Sequence, residues 1–263
     1  MSIRHRLAAA ALCTDLALYL LMLSLPYRLL EQGASSALIG LVPLLVSGPY
    51  GIVGLFAGRV SDGYPRRGPI RAGLALSISA AIAIALVDGQ AAVLALVPFV
   101  GIGLGFFWPS LQAGFSEVSH GHDLHRLTGL FNVSWSIGKG IGMLGGGLIV
   151  RTLGPDHTGF FTAAVLLVSA VVVPAMPRPG DHSAALAADA RAPSATEQRA
   201  FRRAAWIANG LAFALAATIT NHLPKILLEH DLDAGDLGVF TGAVFLAQTM
   251  MFVVTGPRRG WHF

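Results

Sequence analysis

Two residues of this 263-residue chain sit where charge is expensive, and a charge kept there is available for chemistry. Asp15 and Lys139 each stand inside a long apolar run. A charged side chain at the centre of such a run costs about 2.5–3.5 kcal/mol on insertion scales, and such residues face a cavity and find a partner. Asp15 lies nine residues beyond Arg6, and Lys139 thirteen beyond Arg126. At ~1.5 Å per residue their depths differ by roughly 6 Å, within reach of a lysine side chain. Sharing one polar cavity, the two can bind a polar or anionic group through Lys139 and carry a proton on Asp15. The plainer alternatives are a structural pair, or a lysine snorkelling outward. Thr128, Asn132 and Ser136 share the helical face of Lys139, with Trp135 at its margin, and Asn132 and Trp135 are assigned to the cavity.

A second concentration of charge is the segment Gly58-Arg59-Val60-Ser61-Asp62-Gly63-Tyr64-Pro65-Arg66-Arg67, held between two apolar runs. An acid at a helix end can bind the positive pole of another helix, or pair with arginines, in one conformation and release in another. Gly58, Asp62, Tyr64, Arg66 and Arg67 therefore read as a conformational latch. Topology alone accounts for the arginines, but not for Asp62 or the spacing. The chain also has a glycine-rich run containing Gly129, Gly138, Gly142, Gly146 and Gly147. Gly138, Gly142 and Gly145 fall on one side of a helix, a face suited to close helix contact.

Other clusters carry less. His120, His122, Asp123 and His125 read as a solvated loop, and no metal is assigned to them. Phe106, Phe107, Trp108 and Pro109 read as an interfacial aromatic belt with a kink, the alternative being the lining of an apolar cavity. Asn209 and Thr218 are candidates for cavity polarity, while Asn221 and His222 are placed at the outer interface. No phosphate-binding loop, nucleotide fingerprint or serine elbow is present, so neither a cofactor nor an enzyme is expected.

The elements that position these residues follow from composition. The chain is 54% hydrophobic and 12% charged, with a mean hydropathy of +0.65. Soluble domains carry about 25% charged residues, so lipid is the expected solvent. Eight runs approach or exceed spanning length: 7–27, 36–57, 69–87, 91–113, 127–150, 158–176, 203–223 and 235–256. Basic residues in the connections alternate, fourteen on one side against three on the other. This asymmetry predicts a cytoplasmic N terminus and also explains the high isoelectric point without nucleic acid. Cys13 stands alone, so no internal disulfide is expected. Short connections predict that helices adjacent in sequence are neighbours in space.

The chain also repeats itself. Leu25-Pro26-x-x-Leu29-Leu30-Glu31 recurs as Leu223-Pro224-x-x-Leu227-Leu228-Glu229, an offset of 198 that also pairs Gly40 with Gly238 and Gly58 with Gly256. The last two spans therefore read as a second copy of the first two. The expected organisation is a six-helix bundle over 1–177, a cytoplasmic linker over 178–202 rich in Ala, Pro, Asp and Arg, and a partial second bundle over 203–263.

Together these features resemble the major facilitator superfamily. The loop matches its signature at Gly58, Ser61, Asp62, Tyr64, Arg66 and Arg67, and departs from it at Gly63 and Pro65. The glycine-rich run resembles the superfamily's antiporter-associated pattern, with Met143 where that pattern has proline. Phe99 stands near the place where its proton-linked exporters have an arginine, a departure from that device. The resemblance implies an all-α integral membrane protein, with an N-terminal six-helix bundle followed by the first two helices of a C-terminal bundle. Two six-helix halves are the plan of the intact family, so the chain is expected to be truncated after eight of twelve helices. In the family the acid of the first loop meets the far half. It further implies a secondary transporter of small molecules working by alternating access in the plasma (inner) membrane, with export as the preferred direction and a proton as the coupling ion. Its partners would be lipid, a small-molecule substrate and any C-terminal helices encoded separately. The alternative is an inactive remnant, or a membrane binding or scaffold protein.

Overall fold

The computed structural model describes residues 1–118, 124–176 and 229–255, with isolated positions between 196 and 227. The seventh apolar run, the linker and the loop at His120 and His122 lie largely or wholly outside the described residues. Among the described residues seven α-helices are long: α1 (Ile3–Glu31), α2 (Ser36–Gly63), α3 (Arg67–Leu86), α4 (Gln90–Glu117), α5 (Leu124–Leu153), α6 (Thr158–Val172) and α7 (Ala234–Thr255). A 3-10 turn at Pro155–His157 leads into α6. Among the described residues, seven spans are long and apolar enough to cross a membrane, α6 together with this turn supplying one of them.

The order of packing differs from the order of the chain. Helix α1 lies against α5 and α6, α2 against α4, α3 against α4 and α6, and α5 against α7. Of the consecutive pairs, only α3 and α4 pack extensively, which corrects the expectation that sequence neighbours are spatial neighbours. Small residues choose the partners, because they admit a facing backbone. A Cβ added at Gly101 would strike the Val46 carbonyl, and one at Gly103 the Gly73 carbonyl.

Hydroxyls stitch α1 to α6. Thr14 Oγ1 and Ser169 Oγ lie 2.9 Å apart, and Ser169 and Thr162 donate to the carbonyls of Ala10 and Ala17. Arg6 ties the same pair together by donating to Val172 O at 2.9 Å. At the opposite end Arg28, 4% exposed, donates to the carbonyls of Ile84 and Val87 and lies 2.8 Å from Asp156. The aromatic end of α4 is core. Phe107 is fully buried among Leu7, Ile70, Leu74 and Leu111, and Trp108 packs edge-on against Phe107 and Phe131. An interfacial belt is therefore the wrong description of Phe107, because α1 and α3 close over it. Phe99 faces outward, 44% exposed.

The offset of 198 reappears in backbone geometry. Gly33 has φ +75° and its counterpart Asp231 has φ +58°. Ala34 N donates to Leu29 O at 2.9 Å, and Leu232 N donates to Leu227 O at 2.9 Å. Both turns thus follow the same left-handed helix ending. Ser35 then caps α2 by accepting from Leu38 N, and Asp233 caps α7 by accepting from Asp236 N and Gly235 N. Asp236 reaches back to the Asp233 N–H at 2.9 Å, forming a reciprocal capping box.

Candidate functional site

The centre is built by glycines. A Cβ at Gly138 would strike the Leu12 carbonyl, and one at Gly142 would lie 2.5 Å from Leu16 O and 2.9 Å from Tyr19 Cβ. Their absence of side chain lets α1 ride directly on α5. On another face of α5, Gly140 meets Leu246 and Gly242 of α7, and Gly147 meets Ala234 and Gly238. Gly146 faces Leu20 of α1. The glycines of α5 therefore divide between two neighbours, Gly138, Gly142 and Gly146 serving α1 and Gly147 serving α7. Gly129 is a correction to the packing set: nothing lies within 4 Å of the Cβ it lacks, because it lies off the face through which Leu127 and Phe131 meet the core.

This close approach assembles an aromatic cage around Lys139, which is 9% exposed. Its Nζ stands 4.5 Å from the Trp135 ring centroid, 4.9 Å from that of Tyr19 and 5.6 Å from that of Phe245. Ring faces attract a cation through their quadrupoles, by about 2 kcal/mol or more where water is excluded. The Tyr19 hydroxyl is a hydrogen-bond partner of Lys139, while Asp15 and Tyr50 act on it electrostatically. Asp15, 4% exposed, lies one helical turn before Tyr19, and Trp135 one turn before Lys139. Trp135 Nε1 donates to Asn132 Oδ1 at 3.1 Å, which fixes the indole. Tyr19 and Phe245 meet edge to face at 5.2 Å, and Trp135 and Phe252 at 5.4 Å. Ser136 points to α7, its Oγ 2.7 Å from Thr249 Oγ1.

Asp15, Asn132, Trp135 and Lys139 thus converge, near the middle of α1 and α5. Tyr19, Tyr50 and Phe245 were not legible as members. The spacing of Tyr19 one turn after Asp15 was the available signal, whereas nothing local marks Phe245.

The α2–α3 connection is a second charged site. Arg66, 6% exposed, donates through Nε and Nη2 to Glu117 Oε1 at 3.0 and 2.7 Å, and through Nη1 to Ser61 Oγ at 2.8 Å. Arg67 is half-buried, Tyr64 is exposed and Gly58 is open around its missing Cβ. The Asp62 side chain lies outside the described residues. Glu117 escaped sequence reasoning, although an acid in the last turn of α4 opposes the helix dipole and so calls for a basic partner. At the opposite end, Arg151 Nε lies 3.3 Å from Asp233. The Asp236 backbone N–H, then the Gly235 N–H and Arg151, hold the Asp233 carboxyl below the usual carboxylate range. Among the described residues no cluster of His, Cys, Asp or Glu is arranged to hold a metal ion.

A bundle of apolar helices of spanning length around a buried charged centre defines a polytopic α-helical membrane protein. The Major Facilitator Superfamily profile matches residues 7–261, and the chain belongs to that superfamily. It is an integral membrane protein. Its fold is similar to a D-xylose–proton symporter (TM-score 0.68, 12% identity, 96% of this chain and 67% of that one). It is also similar to a POT family transporter, PepTSo (TM-score 0.60, 14% identity, 97% and 52%). A peptide transporter POT crystallised with sulfate aligns with TM-score 0.55 at 17% identity, over 84% of this chain and 46% of its own length. The chain thus spans about half the length of the peptide transporters it matches. No curated protein sequence matches it.

Proposed function

We propose that the chain works as the substrate-binding part of a secondary transporter operating by alternating access. The observation that carries this reading is the cage around Lys139: its walls come from α1 and α5 of the first bundle and from α7, which repeats α2. A ligand seated there touches both copies, so its binding energy can bias their relative position. Asp15 is the proposed carrier of a coupling proton; a proton symporter among the structural neighbours favours this role. The Ser61–Asp62–Arg66 connection acts as the latch, with Glu117 as its anchor in the first bundle. Export is the proposed direction. The arginine bias supports a cytoplasmic N terminus; membership of the superfamily supports a transporter of the plasma (inner) membrane rather than an enzyme.

The open face of α2, with Leu44, Ile52, Leu55 and Phe56 exposed, is the proposed seat of the remaining helices. A membrane binding or scaffold protein is the second reading. Solute flux into vesicles, measured with this chain alone and with four further helices supplied, separates the two. Exchanging the charges (Asp15→Lys with Lys139→Asp) should abolish flux. Undiminished flux after the exchange refutes the cavity role.

A further inference from the structure

We propose that the groove between the α2–α3 connection and α4 seats an anionic phospholipid, one acyl chain in the groove and the phosphate against Arg67 and Arg71. Lipid binding here goes beyond the transport reading and stands whether or not the chain moves a solute.

The groove suits a hydrocarbon chain. Tyr64, Pro65, Gly68, Pro69, Ala72 and Phe106 line about 340 Å³. Ligand pockets span ~300–1,000 Å³, so this space fits part of one acyl chain rather than a whole lipid. Tyr64, Gly68 and Ala72 are exposed, which opens the groove to the outside of the bundle. Its lining gives water little to hold. Pro65 and Pro69 carry no N–H, and the Gly68 N–H already donates to Pro65 O at 2.9 Å. The floor is fixed by close packing of α3 on α4. A Cβ added at Gly73 would strike the Gly103 carbonyl and lie 3.0 Å from Phe106 Cβ.

The rim has the opposite chemistry. Arg67 and Arg71, one turn apart, lie on the side of α3 next to the face formed by Gly68 and Ala72. Arg71 is exposed. Arg67 is half-buried, and its Nε is shut off from solvent without a hydrogen-bond partner among the described residues. Among the described side chains Glu117 is the one carboxylate at this end, and Arg66 already engages it. The first turn of α3 holds no acid and its N-cap makes no side-chain hydrogen bond, so the helix pole adds charge of the same sign. A phosphate diester answers these groups, since its oxygens accept from a guanidinium in paired, charge-assisted hydrogen bonds. The arginine bias assigns this end to the cytoplasmic leaflet, where anionic lipids gather and basic residues attract them. A soluble anion would leave the groove empty, and an apolar helix would leave the arginines unanswered. A lipid uses both.

The test is a titration of the full chain in detergent with dioleoyl phosphatidylglycerol, read as lipid adducts by native mass spectrometry. One saturable adduct is expected. Dioleoyl phosphatidylcholine should bind at least tenfold more weakly, since each basic residue near an anionic headgroup is worth about fivefold. Replacing both arginines (Arg67→Gln with Arg71→Gln) should erase that preference while phosphatidylcholine still binds, which also shows that the groove has survived the change. Ala72→Phe fills the groove and should weaken both lipids at least tenfold, because methylenes are kept out of it. Arg151→Gln removes one positive charge at the opposite end and should leave both affinities as they are. Excess glycerol 3-phosphate should not displace the lipid. Displacement by it would reduce the site to one for small anions and overturn the proposal. Equal affinity for the two lipids in the unmodified chain, undiminished binding by Ala72→Phe, or no saturable adduct would overturn it as well.

Discussion

The corner between α1 and α2 and the corner before α7 share a sequence pattern and a backbone, yet their helices meet different surroundings. Gly33 and Asp231 turn the chain in the same left-handed conformation, the same 29-to-34 and 227-to-232 hydrogen bonds close both turns, and Ser35 and Asp233 cap the helices that follow. Beyond the cap the copies diverge. Gly238 is pressed against Met143 and Gly147 of α5, whereas its counterpart Gly40 has nothing within 4 Å of the Cβ it lacks. Local sequence therefore makes the corner, and the neighbouring helix decides what each glycine does.

The sharpest way to break this comparison is to add bulk at the paired glycines. A Cβ on Gly238 would lie 2.7 Å from the Met143 carbonyl oxygen, so Gly238→Val should destabilise by about 1–3 kcal/mol through overpacking. Gly40→Val should stay within about 0.5 kcal/mol, as for substitutions away from packed features. Thermal unfolding in detergent, with the yield of an engineered α5–α7 cysteine cross-link, measures both. Equal losses at the two positions would mean that α5 is not the cause.

The turns themselves come next. Gly33→Ala places a Cβ in the left-handed region and should cost about 1–2 kcal/mol. Asp231→Gly should gain part of that amount, because the backbone there is already left-handed. Opposite signs in the same unfolding assay are the expected result, and a destabilising Asp231→Gly would show that the turns are not equivalent.

A smaller effect tests the hydroxyl link between the second copy and α5. Ser136→Ala should cost about 0.6 kcal/mol, the average for hydrogen bonds between membrane helices. Thr249→Ala should cost a similar amount, and the double variant less than the sum if the hydroxyls are a true pair.

The smallest expected effect is on pH dependence. Asp233 is held below the usual carboxylate range by the Asp236 and Gly235 N–H groups and Arg151. Its contribution is therefore present above the ordinary value of about 3.9 and fades as pH falls through the lowered one. Cross-link yield between α5 and α7 should decline in that acid window, and Asp233→Asn should flatten the decline while keeping the cap. The Ser35 corner, capped by a hydroxyl, should show no such step. A large effect is not expected, because the Arg151–Asp233 pair is exposed on both sides and water screens it.

The candidate site was legible in part, for a reason that separates charges from rings. Asp15 and Lys139 announce themselves because an ionised group in an apolar run needs compensation wherever the helices go. Tyr19 and Phe245 do not, since an aromatic residue in such a run is equally at home against lipid or protein. Arg66 was visible in a recognisable loop signature, but its partner Glu117 lies 51 residues away and is found only when α4 returns to that end. Gly129 shows the converse: its place in a glycine pattern suggested packing, yet it lies off the face through which Leu127 and Phe131 meet the core.

By itself the sequence determined the membrane spans, the offset of 198, the conformation of both corners and the two charges that cannot be left in lipid. Each of these follows from local sterics, from capping or from the cost of desolvation, which act within a few residues or on one side chain alone. Only the tertiary structure decided that α1 rides on α5 rather than on α2, that the glycines of α5 serve two neighbours, and that three rings from three helices close around Lys139. Lipid tails and apolar side chains are nearly equivalent surroundings, so hydrophobic pattern cannot distinguish a face that meets lipid from one that meets a helix. Close backbone contact makes that choice, and it exists only once the helices are packed.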